Sequence, residues 1–414
     1  MVDVLLAGGI SMAMALLCTK PFIAFLVRRR YGQFIRDDLV HHHVKRGKPT
    51  MGGVVIIAAA LVGYFGSHAL LRVLGGTGVL QVVPSSISLS AVLVLFLLTG
   101  LGIVGFLDDF TKIRKERSLG LTSKQKLLGQ TLVTVVFALA ALLMTDSRGM
   151  RPASTAISFV RDTRLDLAFA GPVLAVILFI AWSNVLIAGA SNGVNITDGL
   201  DGLATGASVM VFGAYTMISL WQFNQGCQVL PGPKCYDVPA ALDLAVVSCA
   251  IAGACFGFLW WNASPAEIIM GDTGSLSLGA ALAGMAILTH TQLLLVVLGG
   301  LFVIVTASVI IQVISFKTTG RRVFRIAPLH HHFRDGRVVR GHHRRPLLDH
   351  RRHLQRGRTG ALLRRVARPA LTAEAPHGRA WRSSTIRPPA VRSQTGTHPH
   401  LRRTLRCRTG LPER

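Results

Sequence analysis

Five aspartates hold the chemistry this sequence can do: the adjacent pair Asp108 and Asp109, then Asp198, Asp201 and Asp272. The 414-residue chain has only 19 acidic residues, and half of it is hydrophobic. Each of the five lies beside a long apolar run. A carboxylate at the mouth of a membrane segment is costly unless it binds something. A divalent metal and a phosphorylated substrate are the fitting partners.

Asp108 and Asp109 sit in Gly105-Phe-Leu-Asp-Asp-Phe110, with Lys112, Lys115, Lys124 and Lys126 close behind. Adjacent carboxylates at a helix end point different ways, yet both can line one metal-rich pocket, since magnesium takes a few carboxylates plus phosphate oxygens. Alone, such a pair would read as a solvated helix end. Asp198 and Asp201 lie in Asn192-Gly-Val-Asn-Ile-Thr-Asp-Gly-Leu-Asp-Gly202. Their spacing of three puts them on one face of a helix start, and Asn192 and Asn195 offer amides suited to a base or sugar. One of the two aspartates also serves as a helix cap. Asp272 lies between two glycines in the stretch Asn262 to Gly274. At a helix start there, capping and phosphate binding are equally open. His330, His331 and His332 form a run that can hydrogen-bond phosphate or sit as a plain surface cluster. Lys45-Arg-Gly-Lys-Pro-Thr-Met-Gly-Gly53 lacks the Walker spacing, which disfavours ATP hydrolysis.

The elements that must position these residues are membrane helices. With a mean hydropathy of +0.48, the chain has several runs longer than the ~18 apolar residues needed to cross a bilayer. The reading is an all-α polytopic membrane protein with nine transmembrane segments, near 4–27, 52–73, 86–107, 126–145, 166–188, 203–221, 241–261, 276–290 and 292–315. The runs are continuous rather than alternating, which argues against a β-barrel. The first run reads as a retained helix rather than a signal peptide, because it lacks a basic leader. Lysines and arginines crowd the first, third and ninth loops, which makes the odd loops cytoplasmic and the N-terminus external. All five aspartates and the histidine triplet then fall on the cytoplasmic face. Cys227 and Cys235 share a loop on the other side, bonded in an oxidising compartment or free in a reducing one.

Taken together, Pro-Thr-Met-Gly-Gly, Gly-Phe-Leu-Asp-Asp-Phe, Asn-Ile-Thr-Asp-Gly-Leu-Asp-Gly, Met-Gly-Asp-Thr-Gly-Ser and Pro-Leu-His-His-His-Phe resemble, in order, the motifs of the phospho-N-acetylmuramoyl-pentapeptide-transferase family. The resemblance covers residues 1–333. It implies a bacterial cell-membrane enzyme that moves phospho-N-acetylmuramoyl-pentapeptide from its UDP-linked donor to undecaprenyl phosphate, with Mg2+, releasing UMP. By motif it implies Asp108, Asp109 and Asp272 as catalytic and Asp272 and Asp109 as metal ligands. Asn195, Asp198, Asp201 and Asn262 would hold the nucleotide and sugar. Lys45, Lys112, Lys124, His330, His331 and His332 would contact phosphates or the donor. A homodimer is a permitted assembly. The alternatives are a related UDP-N-acetylhexosamine transferase and, from another class, a membrane transporter, although a transporter would usually bury its acids mid-membrane.

The family pattern breaks at Phe333. From Arg334 onward the chain has 21 arginines, no lysine and four acidic residues, so much of the +26 net charge sits there. This removes the charge-based reason to expect a nucleic-acid partner. No later run can span a bilayer, and the family's tenth helix is missing. Residues 334–414 therefore read as a frameshifted or disordered tail behind a membrane domain of residues 1–333. One permitted coding of Val338 to Arg352, shifted by a base, gives Trp-Ser-Glu-Val-Thr-Ile-Val-Ala-Arg-Phe-Trp-Ile-Ile-Ala, an apolar stretch resembling that last helix.

Overall fold

Among the described residues, apolar runs and their polar punctuation translate into ten α-helices and one small hairpin. The computed structural model describes residues 1–29, 31, 48–76, 86–115, 120–146, 149–227, 229–232, 235–324 and 327–329. The helices are α1 (Val2–Arg28), α2 (Gly53–Gly76), α3 (Leu89–Arg114), α4 (Ser123–Leu143), α5 (Pro172–Thr197), α6 (Leu203–Asn224), α7 (Ala241–Asn262), α8 (Gly271–Leu288), α9 (Leu294–Leu298) and α10 (Gly300–Thr319). Among the described residues, α1 to α7 and α10 are long and apolar enough to cross a membrane. The chain is thus an all-α polytopic membrane protein, as the hydropathy pattern requires.

α8 is the hub. Every side chain from Thr273 to Leu288 is buried, on all sides of the helix. Such a helix is the inner member of a bundle rather than a lipid-facing one. It packs on α3, α5 and α2, while α1, α2 and α6 gather around α7. The lipid-facing positions are the exposed large apolar side chains, such as Leu5, Val73, Ile103, Val185, Met210 and Ile314.

Local chemistry sets the helix starts. Ser88 caps α3, its hydroxyl accepting from Ala91 N. Thr122 and Gln125 close a reciprocal capping box on α4. Pro172 opens α5 at the first turn, where its missing N–H costs nothing.

Several boundaries differ from the hydropathy reading, and the differences bear on the site. α3 continues past residue 107 through Asp108 and Asp109 to Arg114. α5 starts later than residue 166 and runs beyond 188 to Thr197, so Asn192 and Asn195 are helical rather than on a loop. The residues ahead of it form an antiparallel hairpin, β1 (Ala156–Ser158) with β2 (Asp162–Asp166), which hydropathy does not reveal. The turn expected at Thr289-His290-Thr291 is present, with His290 at φ 54°. The ninth apolar run is broken at Gly299 into the short α9 and the long α10.

Candidate active site

Because α3 is still helical at Asp108 and Asp109, their side chains leave its axis about 100° apart. Both reach the start of α8 because α3 and α8 meet without an intervening side chain. A Cβ on Gly105 would lie 2.2 Å from the Asp272 carbonyl oxygen. The chain entering α2 is pinned to the same place: Gly52 N and Gly53 N donate to the carbonyls of Ile269 and Met270 at 3.0 and 2.9 Å, and Ile269 N donates to Pro49 O at 2.9 Å. Asp108, Asp109 and Asp272 thus each present an oxygen within 4.8 Å of the others.

Two ammonium groups face these three carboxylates. Lys112, one turn beyond Asp108, sets its Nζ 2.6 Å from Asp108 Oδ2, 3.1 Å from Asp272 Oδ2 and 3.7 Å from Asp109 Oδ1. Lys126 of α4 reaches Asp272 Oδ2 at 2.5 Å. The other oxygen of Asp272 accepts from Asn195 Nδ2 at 2.9 Å, and the same amide donates to Ser275 Oγ at 2.9 Å. Asp108 Oδ1 accepts from Leu121 N at 2.8 Å. Asp272 keeps 18% of its side chain exposed against 4% for Asp108 and Asp109, so it is the carboxylate most open to a ligand. Hard carboxylate oxygens around a bridging ammonium suit a hard divalent cation, and the adjacent lysines suit its phosphate partners.

Asp109 is engaged differently. Its Oδ1 accepts from Asp272 N at 3.2 Å, and its Oδ2 accepts from Thr273 N at 3.0 Å and Thr273 Oγ1 at 2.8 Å. The start of α8 is therefore capped by a carboxylate from another helix.

The remaining expected residues form a second layer or lie elsewhere. Asp198 is the C-cap of α5, its N–H donating to Val194 O at 3.1 Å. Asp201 lies in the following turn, where its Oδ2 accepts from Ala266 N at 3.2 Å and stands 3.7 Å from Lys48 Nζ. Neither caps α6, whose N-cap is Gly202, so the expected helix start is replaced by a turn between two helices. Asn262 is 2% exposed. Its Oδ1 accepts from Thr205 Oγ1 at 2.8 Å and its Nδ2 donates to Ile268 O at 3.0 Å, so it braces the 263–270 loop. Lys124 is exposed in the first turn of α4, and Lys126, not carried into the expected site set, takes the place at Asp272. The helical period of α4 contains the signal: Gln130, Val133, Thr134 and Phe137 are its buried face, and Lys126 extends that partly polar stripe by one turn. Lys45 and His330, His331 and His332 lie outside the described residues.

Residues 90–290, from α3 through the turn after α8, match the family described as Glycosyl transferase family 4. The chain is 58% identical over 335 residues to the phospho-N-acetylmuramoyl-pentapeptide-transferase of Kineococcus radiotolerans, covering 80% of this chain and 89% of that one. It is 53% identical over 336 residues to the protein of that name from Beutenbergia cavernae, covering 80% and 90%. With the counterpart from a Nocardioides species it shares 56% over 342 residues, covering 80% and 89%. Identity of this depth, over nearly the whole of each relative, places the chain in the phospho-N-acetylmuramoyl-pentapeptide-transferase family.

Proposed function

We propose that this protein transfers phospho-N-acetylmuramoyl-pentapeptide from its UDP-linked donor to undecaprenyl phosphate. An oxygen of the acceptor phosphate forms a bond to the sugar-bearing phosphorus of the donor. The phosphoanhydride bond breaks, and UMP leaves with its electron pair. The observation that carries this reading is the meeting of Asp108, Asp109 and Asp272 with Lys112 and Lys126 at one end of a membrane bundle.

Phosphoryl transfer asks mainly for positioning and charge stabilisation. Lys112 and Lys126 are placed to bind the donor's phosphates and to offset charge on the leaving UMP. The acceptor monoester has a second pKa near ~6 and is largely ionised at neutral pH, so no strong base is needed. Asp108 orients the acceptor phosphate or takes its residual proton. Asn195, braced against Asp272 and Ser275, stands beside the donor, and Asp198 and Asp201 remain proposed donor contacts. Lys45, Lys124 and His330 to His332 remain proposed phosphate or donor contacts.

The carboxylates of Asp272 and Asp108 fit Mg2+, with Asp272 offering the most accessible oxygens and Asp108 beside it. The ion, when bound, would neutralise the pyrophosphate and stabilise charge building on it.

The acceptor's tail has a fitting place in an apolar cavity of about 290 Å³ between α5, α8 and the α9–α10 break. It runs along α5 from Val185 to Val194, beside Asn195. The basic odd loops support a cytoplasmic site and an external N-terminus. The Cys227–Cys235 disulfide supports an oxidising environment for the opposite face. For residues 334–414 we infer a frameshift in the coding sequence, and an unbroken frame on resequencing across Phe333 would refute it.

Purified protein given the pentapeptide donor, undecaprenyl phosphate and Mg2+ should release UMP, and a chelator should stop it. Release from UDP-N-acetylglucosamine instead would assign a related transferase, and solute movement without UMP release would assign a transporter.

A further inference from the structure

We propose that Asp109 is a positioning residue: it is the N-cap of α8, supplied from α3, and it fixes Asp272 at the site without itself holding the metal. An N-cap side chain normally accepts from the backbone N–H of the second or third helical residue. In α8 those residues are Asp272 and Thr273, counted from Gly271, and the acceptor of both is Asp109. The residue in the cap position itself is Met270, in helical conformation and with no side-chain bond to the start of the helix. Thr273 Oγ1 adds a third bond to the same carboxylate.

The backbone is shaped around this contact. Gly271 has φ 75°, a conformation natural to glycine. A Cβ there would lie 2.6 Å from Asp109 Oδ2. Asp109 is 3% exposed, so no water competes for its oxygens. Adjacent aspartates on one helix therefore divide the work: Asp108 turns to Lys112 and the 120–121 segment, and Asp109 turns to the backbone of α8. A negative charge at a helix N-terminus also answers the helix dipole.

The assignment deepens the transferase reading and rests on it for the identity of Asp272 as a ligand. The test separates cap from ligand, because asparagine keeps one capping oxygen but is a neutral, weaker ligand for a hard divalent ion. The full chain in detergent is compared as wild type, Asp109→Asn, Asp109→Ala and Asp272→Asn. Hydrogen exchange is measured on peptides spanning residues 271–277 without metal, and Mn2+ binding is measured by titration. Asp109→Asn keeps one acceptor oxygen, for Thr273, and should fall between wild type and Asp109→Ala in exchange, with Mn2+ binding weakened far less than in Asp272→Asn. Asp109→Ala should speed exchange at the start of α8 and weaken Mn2+ by about 10–100-fold, as loss of a ligand's orienting partner does. Unchanged exchange in Asp109→Ala overturns the proposal. So does an Mn2+ loss in Asp109→Asn as large as in Asp272→Asn. If wild type binds no Mn2+, the metal reading fails, and metal-free exchange still decides the cap.

Discussion

Helix α3 carries a buried carboxylate cluster near each end, and the two are built on opposite principles. At its start, Asp243 of α7 is 3% exposed. Its Oδ2 accepts from Tyr64 OH at 2.8 Å, Ser88 N at 2.8 Å and Ser88 Oγ at 2.7 Å. His68 Nε2 stands 3.2 Å from Oδ1. About 30 Å along α3, at 1.5 Å per residue, three carboxylates converge on two lysines. At Asp243 the donors outnumber the acids, even with buried Asp3 of α1 also acting on His68, and the carboxylate joins α2, α3 and α7. Three acids that share two ammonium groups are held close against their mutual repulsion, which is tolerable where a cation or phosphate ligand completes the set. Burial and rarity in the sequence are common to both clusters; surplus charge is what separates a site of chemistry from a structural tie.

The largest expected effect breaks the comparison at its functional end. Asp272→Asn and Asp108→Asn should lower kcat for UMP release on the order of 10²–10³-fold, the scale for removing one preorganised electrostatic group. Both should remain folded, since asparagine preserves volume and most hydrogen bonds. Full activity in both variants would remove the site from this end of the bundle.

The structural end should respond in the opposite currency. Asp243→Ala strands the hydroxyls of Tyr64 and Ser88 and the Ser88 N–H in a buried setting. The expected loss is about 3 kcal/mol of stability, read as a lower thermal midpoint in detergent, with kcat per folded molecule unchanged. A loss of kcat without destabilisation would make Asp243 functional and dissolve the contrast.

The two clusters were not equally legible in sequence. Asp108, Asp109 and Asp272 stood out because they interrupt apolar runs inside motifs, and the charge-based topology placed them on one face. Asp243 carries no such signal, because a single acid at the start of an apolar run resembles an ordinary first-turn residue. Its partners Tyr64, His68 and Ser88 lie 155 to 179 positions away for the two bonded pairs, and only the packing of α2, α3 and α7 unites them. Helix ends were misjudged where packing overrides local preference. Asn192-Gly193 looks like a loop, yet α5 continues through it with Gly193 facing Phe302 and Thr306 of α10. Lys126 at Asp272 was a matter of helical period: it shares a face of α4 with the polar Gln130 and Thr134, whereas Leu127, Leu128 and Leu132 are exposed.

A smaller effect probes how closely α3 must approach α8. Gly105→Ala places a methyl against the Asp272 backbone, where the listener is a carbonyl that cannot rotate away. Overpacking of this kind costs about 1–3 kcal/mol. Because the displaced group belongs to the site, kcat should fall as well. Gly9→Ala, with open space around its Cβ, should change neither. Equal behaviour of the two variants would show that the α3–α8 approach is not what holds the carboxylates together.

The smallest effect tests whether a carboxylate elsewhere outside the site also acts as a tie. Asp162 of β2 stands 3.2 Å from His290 Nδ1 in the turn after α8, and the hairpin holds the same turn through Ser158 O, which accepts from Leu293 N at 2.9 Å. Burial works to raise the Asp162 carboxyl, but the hydrogen bond and charge of His290, with a bond from Ser154, outweigh it and hold the group below its ordinary value. A carboxyl lowered on folding contributes stability that is present above its unfolded pKa, near ~4, and is lost as pH falls through the folded value. The side chain is 38% exposed, so screening keeps the contribution within about 1 kcal/mol. Thermal midpoints of wild type and Asp162→Asn should therefore differ slightly at neutral pH and converge as pH drops below ~4. A gap that widens in acid would reverse the sign and show that Asp162 is strained in place rather than tied there.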